Sequence, residues 1–243
     1  MFSLFGYGYG YYGYYFDPTY ILVLIGFLLC MAASGMVNST LKKYSQVANM
    51  RGVTGEDAAR RILSYEGLSD VQVVCLQDGK GDHYDPRTKT VRLSYSNFHS
   101  ASVTAVSVAA HECGHAIQHA KNYAPLSIRS ALVPAVNICS QLGMPIIFLG
   151  VILSWNQTLI QIGIWAFVVA VLFQLITLPV EFNASRRAVV KMGEYGLLTE
   201  EENSGAKKVL RAAAMTYVAA AASSILQLLR LVLLFGGRRG DDD

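Results

Sequence analysis

Two histidines with a glutamate between them form the pattern in this chain that most clearly suggests chemistry. His111 and His115 are four residues apart in AAHECGHAIQHA, and Glu112 directly follows the first. Residues four apart share one face of a helix, so both imidazoles can bind a single zinc ion. Glu112 would then lie beside the ion, where a carboxylate can take a proton from bound water. The pattern predicts a zinc hydrolase site, although so short a motif also occurs in helices whose histidines face solvent or pair with acids.

A catalytic zinc ion usually has three protein ligands and one open position, so another part of the chain should supply a third ligand. The candidate is Glu181 in LPVEFNASRRA, at the end of an apolar run. Two apolar runs separate it from His115, and a hairpin of two membrane spans would leave and return to the same membrane face. The residues can therefore meet, which predicts a Zn²⁺ site formed by His111, His115 and Glu181. An ion pair between Glu181 and a neighbouring arginine is the simpler alternative.

The composition is that of a membrane protein. Of the 243 residues, 53% are apolar and 15% are charged, and the mean hydropathy is +0.34. A helix needs about twenty apolar residues to cross a bilayer core, and such runs occupy 18–37 and both halves of 132–180. A fourth run, 212–235, carries Arg230 and is either a span or a packed helix. The small net charge of +3 and the lack of a basic tract exclude a nucleic-acid-binding protein.

The positions of Lys and Arg predict the orientation, because the cytoplasmic flanks of membrane spans are enriched in these residues. Residues 1–17 and 155–158 contain none, whereas 38–131 and 181–211 contain most of them. The N-terminus is therefore expected outside, with both polar segments in the cytoplasm. The predicted organisation is a Gly/Tyr-rich tail (1–17), a first transmembrane helix (18–37), a cytoplasmic catalytic segment (38–131), a transmembrane hairpin (132–180), a cytoplasmic segment with the third ligand (181–211), a fourth transmembrane or packed helix (212–235) and a polar tail (236–243).

Local patterns predict the elements around the histidine helix, which should begin near Ser100. VTGEDAARRILSYEGL has Thr54 at an N-cap position and Gly67 after its end, typical of a short amphipathic helix. VQVVCL and TKTVRLS are β-rich runs on either side of QDGKGDHYDPR, which predicts a hairpin or two strands of a sheet. The expected fold class is a mostly α polytopic membrane protein with a small β-hairpin or sheet beside the zincin-type histidine helix.

AAHECGHAIQH, followed by two apolar runs and EFNASRRA, resembles the gluzincin pattern H-E-x-x-H, then E-x-x-A-D-x-x-A, of integral-membrane CAAX prenyl proteases and HtpX-type proteases. DHYDPRTKTVRLS and AAHECGHAIQHA resemble more closely the YugP-like bacterial membrane zinc metallopeptidases, over most of the chain. The resemblance implies zinc ligands at His111, His115 and Glu181, and a general base at Glu112. Ser185 stands where the HtpX pattern has an aspartate that orients a histidine ligand, so a different residue is expected to take that role.

The resemblance also suggests a strand at the rim of the site. In similar gluzincins a strand precedes the histidine helix, which predicts that Thr88 to Ser94 is an edge strand beside the metal. The unpaired N–H and C=O groups of an edge strand can hold an extended peptide. Val91, Arg92 and Leu93 are therefore the candidate substrate-binding residues, and a strand paired on both sides is the alternative.

Three further side chains could belong to the site. His119 lies one turn beyond His115, but a fourth protein ligand would close the coordination sphere, so a supporting or surface role is expected. Cys113 points away from the histidines and is predicted to pack in the core. Tyr217 is predicted to pack between helices, with contact to a transition-state oxyanion as the alternative.

The predicted function is a membrane-integrated zinc metalloendopeptidase of the bacterial cell membrane, active at the cytoplasmic face in membrane-protein quality control or processing. Its partners would be a peptide or membrane-protein substrate and the bilayer, with a homo-oligomer or a membrane-scaffold partner left open. One alternative is a non-proteolytic membrane scaffold with a structural metal site, which would not need Glu112. Another is a site-2-type intramembrane protease, which would place the histidine motif inside a span.

Overall fold

The computed structural model describes residues 17–77 and 81–236. Nearly all of the two predicted tails, 1–17 and 236–243, therefore lies outside the described residues. Helices dominate the described part, together with one small sheet. The elements are α1 (Tyr20–Ser45), α2 (Gly55–Tyr65), β1 (Gln72–Leu76), β2 (His83–Asp85), β3 (Thr90–Ser94), α3 (Tyr95–His99), α4 (Val103–Ala120), α5 (Ala124–Ile152), α6 (Gln157–Glu194) and α7 (Glu200–Phe235).

Four of the described helices, α1, α5, α6 and α7, are long and apolar enough to cross a membrane. Many of their large apolar side chains point away from the protein, including Phe27, Phe148 and Trp165. Such an apolar surface suits lipid, because the interior of a bilayer offers no penalty for exposed hydrocarbon. The predicted fold class, a mostly α polytopic membrane protein with a small sheet, is confirmed.

Helices α1 and α7 pack antiparallel along their length. At one end, a Cβ on Gly205 would lie 2.7 Å from the ring of Tyr44, so a larger residue there would push this ring aside. At the other end, Arg230 Nη2 lies 3.2 Å from Asp17 Oδ2, and its guanidinium covers the ring of Tyr20. Arg230 therefore pairs within the protein.

The hairpin of α5 and α6 turns at the same end of the bundle as that ion pair. Its turn contains Trp155, whose ring centroid lies 6.0 Å from that of Phe235 at the end of α7. Helix α4 lies at the opposite end, where Thr104 donates a hydrogen bond to the carbonyl oxygen of Leu41 in α1. The histidine helix and the α5–α6 turn are thus at opposite ends of the four long helices.

The short helix α2 has the boundaries that its sequence predicts. The side chain of Thr54 accepts a hydrogen bond from the backbone N–H of Asp57, and the Asp57 side chain accepts one from the backbone of Thr54. This capping box satisfies two N–H groups that the first turn leaves without partners. Buried Ala59 and Ile62 of α2 then pack in a core shared with α4 and the sheet.

The sheet has the order β1-β3-β2, with β1 parallel and β2 antiparallel to β3. The prediction of an edge strand at Thr88 to Ser94 is wrong, and the alternative of a strand paired on both sides is correct. The two predicted β-rich runs are parallel neighbours, so they form two strands of a sheet and not a hairpin with each other. The hairpin partner of β3 is β2, a short strand inside the turn-rich segment QDGKGDHYDPR.

The residues of β3 are consequently structural. Val91 and Leu93 are 0% exposed and belong to the core. Arg92 Nη1 lies 2.9 Å from Asp85 Oδ2 and ties the hairpin together. These three residues are therefore not placed to bind a substrate strand, because β3 lies between β1 and β2 and their side chains are committed elsewhere.

Hydrogen bonds fix β2 against β3 and α3 on one side and against α4 on the other. Asp82, just before β2, accepts hydrogen bonds from the backbone N–H of Ser94 (2.6 Å) and from Nδ2 of Asn97 (2.7 Å). The hydroxyl of Tyr84 lies 2.8 Å from Nδ1 of His119. Strand β2 is thereby held next to the histidine helix.

Candidate metal centre

The metal centre depends on a close approach between α4 and α6. A Cβ on Gly114 would lie 2.6 Å from the carbonyl oxygen of Ala184, which is far too short, so glycine is required between the two histidines. Helix α4 begins after Ser102, whose side chain accepts a hydrogen bond from Ala105 N. Its rigid continuation carries His111 and His115 toward α6, where Glu181 lies one turn before Ala184.

The structure brings the three predicted ligands together. Oε2 of Glu181 lies 3.2 Å from Nε2 of His111 and 3.6 Å from Nε2 of His115. All three ligand atoms lie within 4.8 Å of one another. Zinc bonds of about 2.1 Å at tetrahedral angles separate ligand atoms by about 3.4 Å. Two imidazole nitrogens and one carboxylate oxygen at these distances fit a zinc ion.

Gln118 determines which nitrogen of His115 carries the proton. Its Nε2 donates to the carbonyl oxygen of Val180 at 2.8 Å, and a carbonyl can only accept. Its Oε1, 3.1 Å from Nδ1 of His115, must therefore accept a proton from that nitrogen. Nε2 of His115 is left with its lone pair facing Glu181, as a metal ligand requires. Sequence reasoning missed Gln118; its signal is its position three residues after His115 on the same helix.

Ser185 occupies the corresponding position for His111. Its hydroxyl oxygen lies 3.2 Å from Nδ1 of that histidine. The expectation that a different residue would take over from the missing aspartate is therefore wrong. A short serine side chain reaches the ring because α6 runs so close to α4 at Gly114.

Arg129 holds the second oxygen of Glu181. Its Nη1 lies 3.3 Å from Oε1, whereas Oε2 faces the histidines. Glu181 is only 2% exposed, and a carboxylate so deeply buried needs compensating positive charge. Arg129 supplies it at Oε1, and a bound metal ion would supply it at Oε2. The sequence offered no signal for Arg129, which reaches the site from the first turns of α5.

Glu112 lines two cavities that meet at the metal centre. The larger has a volume of about 400 Å³ and is also bordered by His83 and Tyr84 of β2 and by Arg129. The smaller has a volume of about 190 Å³ and lies toward α7. Val91, Arg92 and Leu93 line neither cavity, in agreement with their place inside the sheet.

The remaining candidates have different roles. His119 binds Tyr84 and so supports β2. Burial raises the pKa of Tyr84 to about 12, and the nearby charges of Asp70 and Asp85 act in the same direction. Cys113 is fully buried with Sγ 3.7 Å from the carbonyl oxygen of Ala59, and burial raises the pKa of its thiol, as expected for core packing. Tyr217 is predicted from the sequence to pack between helices. In the structure it lines both cavities beside Glu112.

Comparison with known proteins agrees with this geometry. Residues 19–236 match the model of a family described as "Putative neutral zinc metallopeptidase". The chain is 49% identical over 152 residues to "Putative membrane protease YugP" of Bacillus subtilis (strain 168), an alignment that covers 63% of this chain and 67% of that relative. No solved structure matches the chain. Because the family match spans most of the sequence and the ligand cluster fits zinc, the chain belongs to this family of membrane zinc metallopeptidases.

Proposed function

We propose that the chain is a zinc metalloendopeptidase of the gluzincin type, which hydrolyses peptide bonds at the cytoplasmic face of the bacterial membrane. The observation that carries this proposal is the position of Glu112, which lines a cavity of about 400 Å³ beside a cluster of three metal-ligand atoms. A purely structural metal site in a scaffold protein would need neither an adjacent carboxylate nor an open cavity.

Different residues of the chain have different roles in hydrolysis. Bound zinc supplies a Lewis acid that polarises a carbonyl and lowers the pKa of water to about 7. Glu112 accepts the proton of the attacking water and delivers it to the departing amide nitrogen, as general base and then general acid. Gln118 and Ser185 keep the histidine Nδ1 atoms hydrogen-bonded, so both Nε2 atoms stay available.

Strand β2 is the best candidate to bind the substrate backbone. One of its edges pairs with β3, and no strand among the described residues pairs with the other. The larger cavity is lined by His83 and Tyr84 of this strand and by Asp82, which directly precedes it. An extended peptide added along this edge would pass over the metal centre, and backbone pairing would place few demands on its side chains.

The membrane arrangement supports a site at the cytoplasmic face. The histidine helix is not among the four candidate spans in the described residues, which argues against a site-2-type protease. The site lies at the end of the bundle where the Lys- and Arg-rich segments flank the spans, opposite Asp17 and the α5–α6 turn. A peptide near the membrane surface, from a membrane protein that is being processed or degraded, is the substrate class that this position favours.

Replacing Glu112 with glutamine tests the proposal directly. The purified protein in lipid nanodiscs would be loaded with zinc and incubated with unstructured polypeptides, and cleavage would be followed by mass spectrometry. We expect Glu112→Gln to keep a full equivalent of zinc and to lose about 10²- to 10⁴-fold in turnover. Glu201→Gln, a change at an exposed carboxylate of α7, is the matched control and should cleave normally.

Hydrolysis by Glu112→Gln at the wild-type rate would disprove the role of Glu112. If the zinc-loaded wild type cleaves no polypeptide, the scaffold alternative takes its place.

A further inference from the structure

The metal centre separates two cavities of different character. His111, Glu112, Glu181 and Tyr217 line both of them, so a peptide bond placed at the metal would have one cavity on each side. The larger cavity is partly polar, with Arg87, Arg129 and Ser130 in its wall. The side of the smaller cavity that faces away from the metal is formed by apolar side chains of α1, α4 and α7. These are Leu41, Val108, Val209, Leu210, Ala213 and Ala214.

We propose that the smaller cavity binds one apolar side chain of the substrate, carried by a residue that adjoins the scissile bond. The inference rests on the proposed peptidase function and adds a side-chain preference to it. Backbone pairing with β2 would hold any extended peptide, whereas this subsite would decide where along that peptide the bond is cut.

The chemistry of the cavity wall selects against polar side chains. Apart from His111, Glu112, Glu181 and Tyr217 at the metal centre, the polar residues of its wall are Asp82 and Ser185. Both Asp82 oxygens already accept hydrogen bonds, from Ser94 and Asn97, and the Ser185 hydroxyl lies against His111. A polar side chain that enters the apolar end of the cavity would lose water without gaining a partner there, which is unfavourable. An acidic one would also meet the carboxylates of Glu112 and Glu181.

The size of the cavity is set by small residues of α7. Its volume of about 190 Å³ suits a single side chain of medium to large size, such as leucine, methionine or phenylalanine. Val209 is 1% exposed and Leu210 is buried, so this wall is firmly packed. The methyl groups of Ala213 and Ala214 leave the space open, and a larger residue at 213 would fill it.

Substrate profiling tests the subsite. Wild-type protein in nanodiscs would be given a mixture of peptides with every residue type at each position, and cleavage sites would be mapped by mass spectrometry. We expect Leu, Met or Phe on one side of the cut bond to be favoured over Asp, Asn or Gly by about tenfold or more, the usual gain from burying such a side chain. Ala213→Phe should shift that position toward Gly and Ala, and Val108→Ala should extend it toward Trp.

A matched control and a binding assay separate the subsite from general damage. Ala222→Phe changes a partly exposed alanine that lies on the opposite face of the same helix, nine residues further along. Ala222 lines neither cavity, so this variant should leave the profile unchanged. In the zinc-loaded Glu112→Gln background, a fluorescent peptide with leucine at the mapped position should bind about tenfold more tightly than its aspartate analogue, and Ala213→Phe should remove that difference.

The outcomes distinguish this inference from the function on which it rests. Cleavage by the wild type with no apolar preference beside the cut bond, or an unchanged profile in well-folded Ala213→Phe, overturns the subsite and leaves the peptidase intact. Absence of any cleavage by the wild type overturns the peptidase proposal and the subsite together.

Discussion

The hydroxyl oxygen of Ser185 lies 3.2 Å from Nδ1 of His111, although α5 and most of α6 separate the two residues in sequence. A neutral hydroxyl thus takes the place of the carboxylate that usually orients a metal-binding histidine. The hydroxyl can accept the Nδ1 proton and fix the ring, but it adds no negative charge to the centre.

Ser185→Ala should weaken zinc binding by about tenfold or more, since partners of this kind typically contribute 10- to 100-fold to metal affinity. Ser185→Asp should bind zinc at least as tightly as the wild type, because a carboxylate makes the imidazole a stronger donor. Competition with a chromophoric chelator measures both affinities. Equal affinities of the alanine variant and the wild type would show that the contact is irrelevant to the metal.

His111→Ala and Glu181→Ala should each lose most bound zinc, because either change leaves only two protein ligands. His119→Ala is the control: His119 binds Tyr84 and not the metal cluster, so its variant should keep a full equivalent. Elemental analysis of the purified proteins gives the stoichiometry. Full zinc occupancy in both ligand variants would refute the assignment.

Cysteine labelling should show that the α5–α6 turn is outside the cell and the start of α7 inside. In a background without the four native cysteines, Asn156→Cys should react with an impermeant maleimide added to intact cells, whereas Lys208→Cys should react only after the cells are opened. Both positions are exposed in the structure. Reaction of Asn156→Cys solely from the cytoplasmic side would invert the topology.

Glu66 should stabilise the fold in a pH-dependent way. Its carboxylate is bound by Lys191 (2.7 Å), the Tyr195 hydroxyl (2.6 Å) and Lys121 (3.3 Å). Burial alone would raise the pKa of Glu66, but hydrogen bonds from these partners lower it from 4.5 to about 2. The folded state therefore binds the proton less readily than the unfolded state, so this stabilisation is complete above about pH 4.5 and disappears as the pH falls toward 2.

The difference in thermal unfolding temperature between the wild type and Glu66→Gln measures this contribution. It should be large at pH 7 and shrink steadily below pH 4.5. Glu201→Gln should show a small difference that stays small across the range. A Glu66→Gln difference that is independent of pH would mean that the carboxylate's charge contributes nothing.

The parts of the site that follow a local rule could be predicted from sequence. The spacing of His111 and His115 fixes their shared face on a helix, and Glu181 follows from the need for a third ligand at the end of a returning span. The helix that begins after Thr54 could also be predicted, because a capping box involves residues only three apart in sequence.

The order of the strands could not be predicted, because it depends on pairing between distant segments. Val91 and Leu93 alternate with Arg92 as they would in an edge strand or a central one. Strand β2 is three residues long and lies within a segment rich in turn-forming residues. Arg129 was missed for the same reason, since its contact with Glu181 depends on how α5 packs and has no local signature.

The two halves of the metal centre lie on either side of the α5–α6 hairpin, with His111 and Glu181 70 residues apart in sequence. During synthesis, both histidines therefore leave the ribosome well before the glutamate. The third ligand would join them only after α5 and α6 have been inserted as a hairpin. The newly made chain would have no complete centre during this interval, so the proposed peptidase could not cut itself or its neighbours while they are being inserted. Proteolysis by this site would begin only after membrane insertion of the hairpin, so correct assembly would be a condition for activity.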